Sequence, residues 1–328
     1  MHWTSQRTEE LLGLASEFVR FHVHHPRQLK FLQRALAGLQ TQLKDLESPP
    51  FFMTIPLLVH SAIRDDEPAA RVLAIATTLL FLGIDILDDI ADGDLPNHWQ
   101  GFKSSEIQLM GATLLATLPQ IAIATLKTSS QVIADMHKTL AEALLRMSAG
   151  QESDLTLSES DNLTSEVVEA SVVAKSGEEI GLFASLAAQL AQAPQTVVEH
   201  YAVMGRELGT AGQLVSDCHD LFQSQVSRDL ANGTRTFPLA LYLEKKRGQE
   251  RQEFLLLLGQ ARQGRPVLKS VRQCLHESGV LRMTAFVVEL HCQRAQEALL
   301  KAKPLEPAAS ALRATIDNIS FFTKGKVV

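Results

Sequence analysis

An apolar run at residues 72–84 (VLAIATTLLFLGI) leads directly into a cluster of aspartates: Asp85, Asp88, Asp89, Asp92 and Asp94. The run predicts a buried helix, and a helix that continues through the cluster brings Asp88, Asp89 and Asp92 close to one stripe, with Cβ atoms about 5–6 Å apart. Carboxylates are costly in such surroundings unless they are paired, hydrogen-bonded or bound to metal. They are also unfavourable near a helix C-terminus. We therefore predict that Asp88, Asp89 and Asp92 are metal ligands.

A second acidic cluster, Asp217 and Asp220, lies much further along the chain. On an exposed helix face this spacing would be ordinary, but here a stretch of small and apolar residues precedes it. Gln213 lies one helical turn before Asp217. Two such clusters on facing helices would form an oxygen-rich site for a hard cation. Because Mg²⁺ is held by a few carboxylates together with substrate phosphates, the pair indicates a metal-dependent enzyme acting on a diphosphate.

The composition limits the functions that the chain can be expected to have. The chain has 328 residues, of which 45% are hydrophobic and 21% charged, and its formal net charge is −6. These values are typical of a soluble globular protein, and the dispersed basic residues argue against nucleic-acid binding. The three cysteines have no ligand-like spacing and fit a reducing compartment. The N-terminal residues have no signal-peptide core, so we predict a cytoplasmic protein.

One further apolar segment, residues 109–126, is long enough to be considered as a membrane span. Pro119 interrupts it and many of its residues are small, so we interpret it as a buried core helix with a kink. We therefore predict no stable membrane insertion.

The fold class follows from periodicity. Apolar residues recur at intervals of three and four along most of the chain, and no segment shows the alternation of a strand. We predict an all-α fold in which about ten or more helices surround a central cavity. No linker is long enough to require a domain boundary, so residues 26–328 are predicted to form one domain, preceded by an N-terminal arm at residues 1–25.

Several side chains are candidates for contacting a substrate. Arg228 and Arg235 flank a turn, and arginine suits bidentate recognition of phosphate. Lys175 precedes Ser176-Gly177, and Phe81 lies one turn before Asp85. Taken singly, each of these residues is more typical of an ordinary surface or core position than of a substrate contact.

Together these segments resemble the polyprenyl synthetase family of class I isoprenoid synthases. The residues Leu87–Asp92 resemble the first aspartate-rich motif of the family, DDxxD, and Gly209–Asp220 resemble the second, with Ser216 in place of its first aspartate. Asp229–Pro238 is similar to the D-L-x-x-G-K-x-T-x-P segment, with Thr234 in place of its lysine. Further likenesses are the K-[ST]-G stretch from Lys175 and the G-Q-x-x-D-L stretch from Gly150. The likeness spans about residues 40 to 315.

The resemblance implies an isoprenoid synthase fold, bound Mg²⁺, and a prenyl diphosphate substrate that ionises to an allylic cation. It adds Asp217 and Asp220 to the metal ligands. It implies that Lys175, Arg228 and Arg235 bind the diphosphate and that Gln213 orients a metal-bound water or the diphosphate. Gly83 and Ile84 match positions that limit chain length, and the small Gly83 favours a substrate of C15 or longer. The resemblance also implies a homodimer.

Two departures from the family pattern concern the second substrate. Chain-elongating members carry a G-K-x-x-R segment that holds isopentenyl diphosphate, whereas residues 48–56 here (SPPFFMTIP) contain no base. Elongating members also carry paired arginines shortly after DDxxD, and residues 93–99 here (GDLPNHW) contain none. The allylic-diphosphate half of the site is retained, and the homoallylic half is not.

Four functions remain open at this point. The first is a terpene synthase of this family, which ionises a prenyl diphosphate and lets the cation cyclise, lose a proton or capture water. The second is a prenyltransferase that uses a non-diphosphate acceptor such as the indole of a peptide tryptophan. The third is a non-catalytic regulatory subunit of a prenyl diphosphate synthase, and the fourth is chain elongation that uses other bases.

Overall fold

The computed structural model describes residues 5–44, 49–64, 67–93, 95–157 and 164–322. The helices of its first half are α1 (Ser5–His22), α2 (Pro26–Leu43), α3 (Phe51–Ser61), α4 (Glu67–Asp92), α5 (Ser104–Ala112), α6 (Leu118–Ala124) and α7 (Ser130–Leu157). The helices of its second half are α8 (Ser165–Val172), α9 (Glu178–Leu190), α10 (Gln195–Phe222), α11 (Arg228–Asn232), α12 (Phe237–Lys245), α13 (Gly248–Arg262), α14 (Leu268–Glu277), α15 (Val280–Ala302) and α16 (Ala308–Asp317).

Short π-helical turns join two pairs of these helices. Thr113–Thr117 connects α5 to α6, and Val173–Gly177 connects α8 to α9, so the described residues form fourteen continuous helices and no strand. The predicted all-α class is therefore confirmed. A π turn inserts one extra residue into a helix and is found frequently at functional sites. The second turn contains Lys175 and Ser176, which the sequence had marked as a motif.

The chain divides into two compact units. The first comprises the described residues up to Ala141 together with Phe183–Tyr201 and Ala302–Leu312. The second comprises Glu142–Leu182, Ala202–Lys301 and the described residues from Arg313 onwards. The aspartates of α4 belong to the first unit, and those of α10 belong to the second.

Helix α4 is the centre of the first unit and packs against α1, α2, α3, α5 and α6. Its apolar run is buried as predicted, with Leu73, Leu79 and Leu80 at most 1% exposed. The predicted start is also confirmed, since α4 begins at Glu67, immediately before Pro68. Proline is tolerated in a first turn because its missing N–H has no acceptor there. Asp65 and Asp66, which we expected at this helix start, lie outside the described residues.

Helix α1 packs against α2 and α4 through a buried stripe that includes Leu11, Ala15 and Val19. These contacts lie within the segment that the sequence suggested as an arm, residues 1–25. The division into an arm and a domain stays a prediction.

Two helical segments are long and apolar enough to cross a membrane, Pro68–Asp92 and Ser104–Ala124. The first is 67% buried, as is usual for a core helix. The second is only 39% buried, so the segment that contains residues 109–126 is less buried than the predicted core helix. The interruption expected at Pro119 lies slightly earlier, at the π turn Thr113–Thr117, and Pro119 falls in the first turn of α6, where its missing N–H causes no conflict.

In the second unit, the backbone of α10 packs directly against the backbone of residues 176–181. Glycines on both sides make this possible: a Cβ on Gly205 would lie 2.5 Å from the carbonyl oxygen of Ile180, and one on Gly177 would lie 2.6 Å from Oγ1 of Thr210. A Cβ on Gly209 would overlap the carbonyl oxygen of Ser176. The close contact fixes Ser176 against the helix that carries Gln213 and Asp217.

We therefore expect Gly209→Ala to destabilise the protein by about 1–3 kcal/mol, because an added methyl group cannot be accommodated without moving backbone. Gly259→Ala in α13 is the matched control, since a Cβ there meets nothing within 4 Å. At that site alanine should stabilise the helix by about 0.5–1 kcal/mol. Calorimetric melting of both variants tests the packing, and equal melting temperatures would contradict it.

Candidate active site

The first aspartate cluster occupies the C-terminal turns of α4. Asp85, Asp88 and Asp89 are partly buried, whereas Asp92 is exposed. The helix ends at Gly93, whose φ of 72° is the left-handed conformation that favours glycine. No basic residue lies in the last turn, so the carboxylates add to the negative end of the helix dipole. Asp94, the last residue of the predicted cluster, lies outside the described residues.

The neighbouring side chains of α4 have different surroundings. Phe81 is partly buried and stacks on Phe52 of α3, with ring centroids 4.1 Å apart. Ile84 is also partly buried. The inference that Gly83 leaves room for a longer substrate is wrong, because a Cβ there would overlap the backbone of Leu115. The space beside Gly83 is filled by the π turn between α5 and α6.

In the second unit, a chain of hydrogen bonds leads to Asp217. The amide nitrogen of Gln213 donates to Oδ1 of Asp217 at 2.8 Å, and the hydroxyl of Ser176 donates to the amide oxygen of Gln213 at 3.1 Å. Both ends of the Gln213 amide are therefore engaged, which fixes its orientation. Gln213 is thus placed to orient the carboxylate of Asp217.

The carboxylate of Asp217 is buried, with 6% of the residue exposed. Its pKa is raised to about 7, first by burial and also by the nearby carboxylates of Asp229, Asp154 and Asp220, while the hydrogen bond from Gln213 acts in the opposite direction. Three carboxylates thus repel the charge of Asp217 at a buried position. A divalent cation would relieve this repulsion.

Lys175 contacts one of these carboxylates. Its ammonium group lies 2.8 Å from Oδ2 of Asp154 on α7, and a quarter of the lysine side chain is exposed. The π turn Val173–Gly177 places Lys175 and Ser176 side by side, one on Asp154 and the other on Gln213. The K-[ST]-G stretch therefore connects the G-Q-x-x-D-L stretch, through Asp154, to the second aspartate-rich motif, through Gln213.

Asp220 has a structural role at the start of α11. Its carboxylate accepts hydrogen bonds from the hydroxyl of Ser227 and from the backbone N–H groups of Arg228, at 3.1 Å, and Asp229, at 3.4 Å. Ser227 in turn caps α11 by accepting from the N–H of Leu230 at 3.2 Å. A metal at Asp220 would have to share its oxygens with these donors.

The two candidate arginines differ in exposure. Arg228 is exposed, whereas Arg235 is buried, with 9% exposure, two residues before the start of α12. Ser216, which replaces the first aspartate of the second motif, is exposed. These positions leave the diphosphate-binding roles of Lys175, Arg228 and Arg235 as proposals.

The donor chemistry of both units fits a hard cation such as Mg²⁺, because the side chains concerned are carboxylates. The physical support for a cation comes from Asp217, because its pKa is raised in part by three other carboxylates whose repulsion a cation would offset. Within the described ranges, no three His, Cys, Asp or Glu side chains are gathered closely enough to hold a metal ion. The ligand set of Asp88, Asp89, Asp92, Asp217 and Asp220 is therefore a proposal.

The segments that hold isopentenyl diphosphate in elongating enzymes are built differently here. Helix α3 buries every residue from Phe52 to His60, and no Lys or Arg occurs between Lys44 and Arg64. After the first aspartate cluster, Trp99 is 4% exposed and stacks on Phe31 at 4.5 Å. Both segments serve packing within the first unit.

Comparison with solved structures identifies the fold as that of the isoprenoid synthases. A polyprenyl synthetase from Streptomyces coelicolor A3(2) aligns with a TM-score of 0.81 at 18% identity, over 96% of this chain and 98% of that one. A decaprenyl diphosphate synthase from Rhodobacter capsulatus gives 0.78 at 17%, over 96% and 97%. A polyprenyl synthase from Caulobacter crescentus CB15, complexed with calcium and isoprenyl diphosphate, gives 0.77 at 18%, over 96% and 95%.

The family model for polyprenyl synthetases matches residues 53–275, so the chain belongs to the polyprenyl synthetase family. The resemblance found in the sequence is thereby confirmed. Enzymes of this family bind prenyl diphosphates and are generally Mg²⁺-dependent. The search of curated proteins gives no match.

Sequence reasoning did not select several residues that contact the predicted site. Asp154 pairs with Lys175, Ser176 holds Gln213, and Ser227 holds Asp220. Asp229 raises the pKa of Asp217. Each of these four residues lies in or beside a segment that resembles a family motif, and this proximity is the only sequence feature that could have indicated them. The sequence does not show which of them lie close to Asp217, because that depends on the packing of the helices.

Proposed function

We propose that this protein is a Mg²⁺-dependent terpene synthase of the isoprenyl diphosphate synthase type. It would ionise an allylic prenyl diphosphate to a cation that cyclises, loses a proton or is captured by water. Membership of the polyprenyl synthetase family supports the substrate class. Bound Mg²⁺ would stabilise the charge that develops on the leaving diphosphate. Lys175, Arg228 and Arg235 are the proposed cationic contacts to the same group.

The observation that carries the proposal is the apolar character of α3. Every residue from Phe52 to His60 is buried, and the chain has no Lys or Arg between Lys44 and Arg64, where elongating enzymes hold isopentenyl diphosphate. A second diphosphate carries several negative charges and needs cations or hydrogen-bond donors in return. An enzyme without such groups is suited to one diphosphate substrate.

Chain elongation is the second candidate. It is favoured by the likeness of the whole chain to a decaprenyl diphosphate synthase, at a TM-score of 0.78. It requires that isopentenyl diphosphate is held by basic residues outside the two segments that lack them here.

One assay separates these functions. Purified protein with Mg²⁺ is given geranyl, farnesyl, geranylgeranyl or geranylfarnesyl diphosphate, each with and without isopentenyl diphosphate, and products are read by gas chromatography before and after phosphatase. We expect hydrocarbon or alcohol from a single diphosphate before phosphatase. Longer prenyl alcohols that need isopentenyl diphosphate and phosphatase would establish elongation instead. A lack of product in every reaction would favour an acceptor-dependent prenyltransferase or a regulatory subunit.

We also propose a cytoplasmic homodimer, on the basis of the family resemblance. Sedimentation equilibrium of the purified protein tests the oligomeric state, and a mass of 36.0 kDa would show a monomer.

A further inference from the structure

A groove in the second unit, which we call the basic groove, is lined by none of the clustered aspartates. Its volume is about 480 Å³, within the range of small-molecule pockets. The turn after α10, α11, the end of α13 with the turn that follows it, and the start of α14 form its walls. None of the residues that line it in the described part of the chain is acidic, whereas three are basic: Arg265, Lys269 and Arg272. The described lining is therefore positive, although the chain as a whole has a net charge of −6.

Backbone contacts fix the walls of the basic groove. Helix α13 ends at Arg262, the chain turns at Gly264, whose φ is 72°, and the N–H of Arg265 donates to the carbonyl of Gln260 at 3.1 Å. Arg272 donates to the carbonyl of Leu221 at 2.5 Å and also to that of Ser224. Arg272 therefore holds the end of α10, while the side chains of Arg265 and Lys269 are available for a ligand.

The floor of the groove is apolar. Leu230, Ala261 and Val267 line it and are at most 9% exposed. The combination of a cationic rim with a concave apolar floor suits a molecule that has an anionic end and an apolar body. A phosphate monoester carries a charge of about −1.5 to −2 at neutral pH, so it balances several cations better than a single carboxylate does.

We propose that the basic groove is a binding site for an organic phosphate, whose charged end lies at Arg265 and Lys269. The apolar part of the ligand covers the floor. A soluble ligand fits better than a membrane surface, because the floor residues are recessed and Val226 is the one large apolar side chain on the described lining that is mostly exposed. The site also lies beside Ser227, which lines the groove and donates to Asp220.

The test uses the full chain in EDTA, so that diphosphate cannot be held through a metal. The probes are inorganic diphosphate and 3,7-dimethyloctyl diphosphate, which is saturated and cannot ionise to an allylic cation. Binding is measured by titration calorimetry for the wild type and for Arg265→Gln/Lys269→Gln. Because Arg265 and Lys269 are exposed, the variant should keep the fold. The control, Arg20→Gln/Lys301→Gln, removes the same charge from two exposed positions outside the groove.

We expect the saturated diphosphate to bind the wild type more tightly than inorganic diphosphate does. The groove variant should bind it roughly tenfold to a hundredfold more weakly, since two charge-assisted contacts are lost, whereas the control should be unchanged. Equal affinity in the wild type and the groove variant would overturn the proposal, as would an equal loss in the control. Equal affinity of the two probes would exclude the apolar subsite. Phosphatidylglycerol vesicles are the third probe, and a loss of binding confined to them would overturn the proposal in favour of a membrane contact.

Discussion

Replacing Asp88 by alanine should abolish turnover of the prenyl diphosphate while leaving the fold intact. Asp88 is partly buried at the end of α4, next to Asp89 and one turn before Asp92. If these carboxylates hold Mg²⁺, the loss of a ligand removes part of the charge stabilisation at the leaving diphosphate. That stabilisation is worth several kcal/mol, so the expected fall in kcat/KM is about a thousandfold or more.

Two further variants make this result specific. Asp88→Asn keeps the shape of the side chain and removes its charge, so it should lose nearly as much activity as the alanine variant. Glu17→Ala removes one exposed acid from α1 and should retain full activity. Circular dichroism and melting temperature confirm that each variant is folded. Activity of Asp88→Ala within about threefold of the wild type would show that the proposed metal ligands are wrong, by the usual conversion of rate into free energy.

The parts of this structure that could be predicted depend on local pattern. The start of α4 at Glu67 follows from the proline beside it, its burial from the apolar run within it, and its end from the glycine that comes directly after Asp92. The same holds for the all-α class, because helical periodicity is repeated in most segments. The resemblance to family motifs added a predicted metal-binding role for both aspartate clusters.

What could not be predicted depends on contacts between distant segments. The sequence shows that Gly83 lacks a side chain, but only the fold shows that the backbone of Leu115 fills the space beside it. The bond from Ser176 to Gln213 requires the close approach of two helices, which glycines on both of them permit. The double role of Asp220, as a candidate ligand and as a cap of α11, likewise depends on how the chain turns after α10.

The second large effect concerns stability. Asp217→Asn should make the metal-free protein more stable at pH 8 and at the same time abolish turnover. The pKa of Asp217 is raised from 3.8 to about 7, first by burial and then by the neighbouring carboxylates. The folded state therefore holds a proton that the unfolded state releases. Stability falls as the pH rises from about 4 to about 7, by roughly 1.4 kcal/mol per pH unit, and the loss persists at higher pH.

Asparagine is neutral throughout this range and can still accept the hydrogen bond from Gln213. The gain in the free energy of unfolding should thus be on the order of 4 kcal/mol at pH 8, as an upper limit, and should shrink towards zero near pH 4. Denaturant titrations at pH 8 and pH 4.5 in EDTA measure it, with Asp135→Asn at an exposed position of α7 as the control. An advantage of equal size at both pH values, or a less stable variant at pH 8, would contradict the prediction.

Mg²⁺ together with 3,7-dimethyloctyl diphosphate should reverse the order of stability. A ligand that binds only the folded state stabilises it by an amount that grows with the logarithm of its concentration divided by its Kd, about 4 kcal/mol at a thousand times Kd. The wild type retains the carboxylate proposed to hold the metal. The wild type should therefore gain melting temperature on addition of the pair, while Asp217→Asn gains little. A site that is unstable when empty and stable when filled would explain why an acid is kept at a position 6% exposed among three other carboxylates. Equal gains in both proteins would show that Asp217 is not a metal ligand.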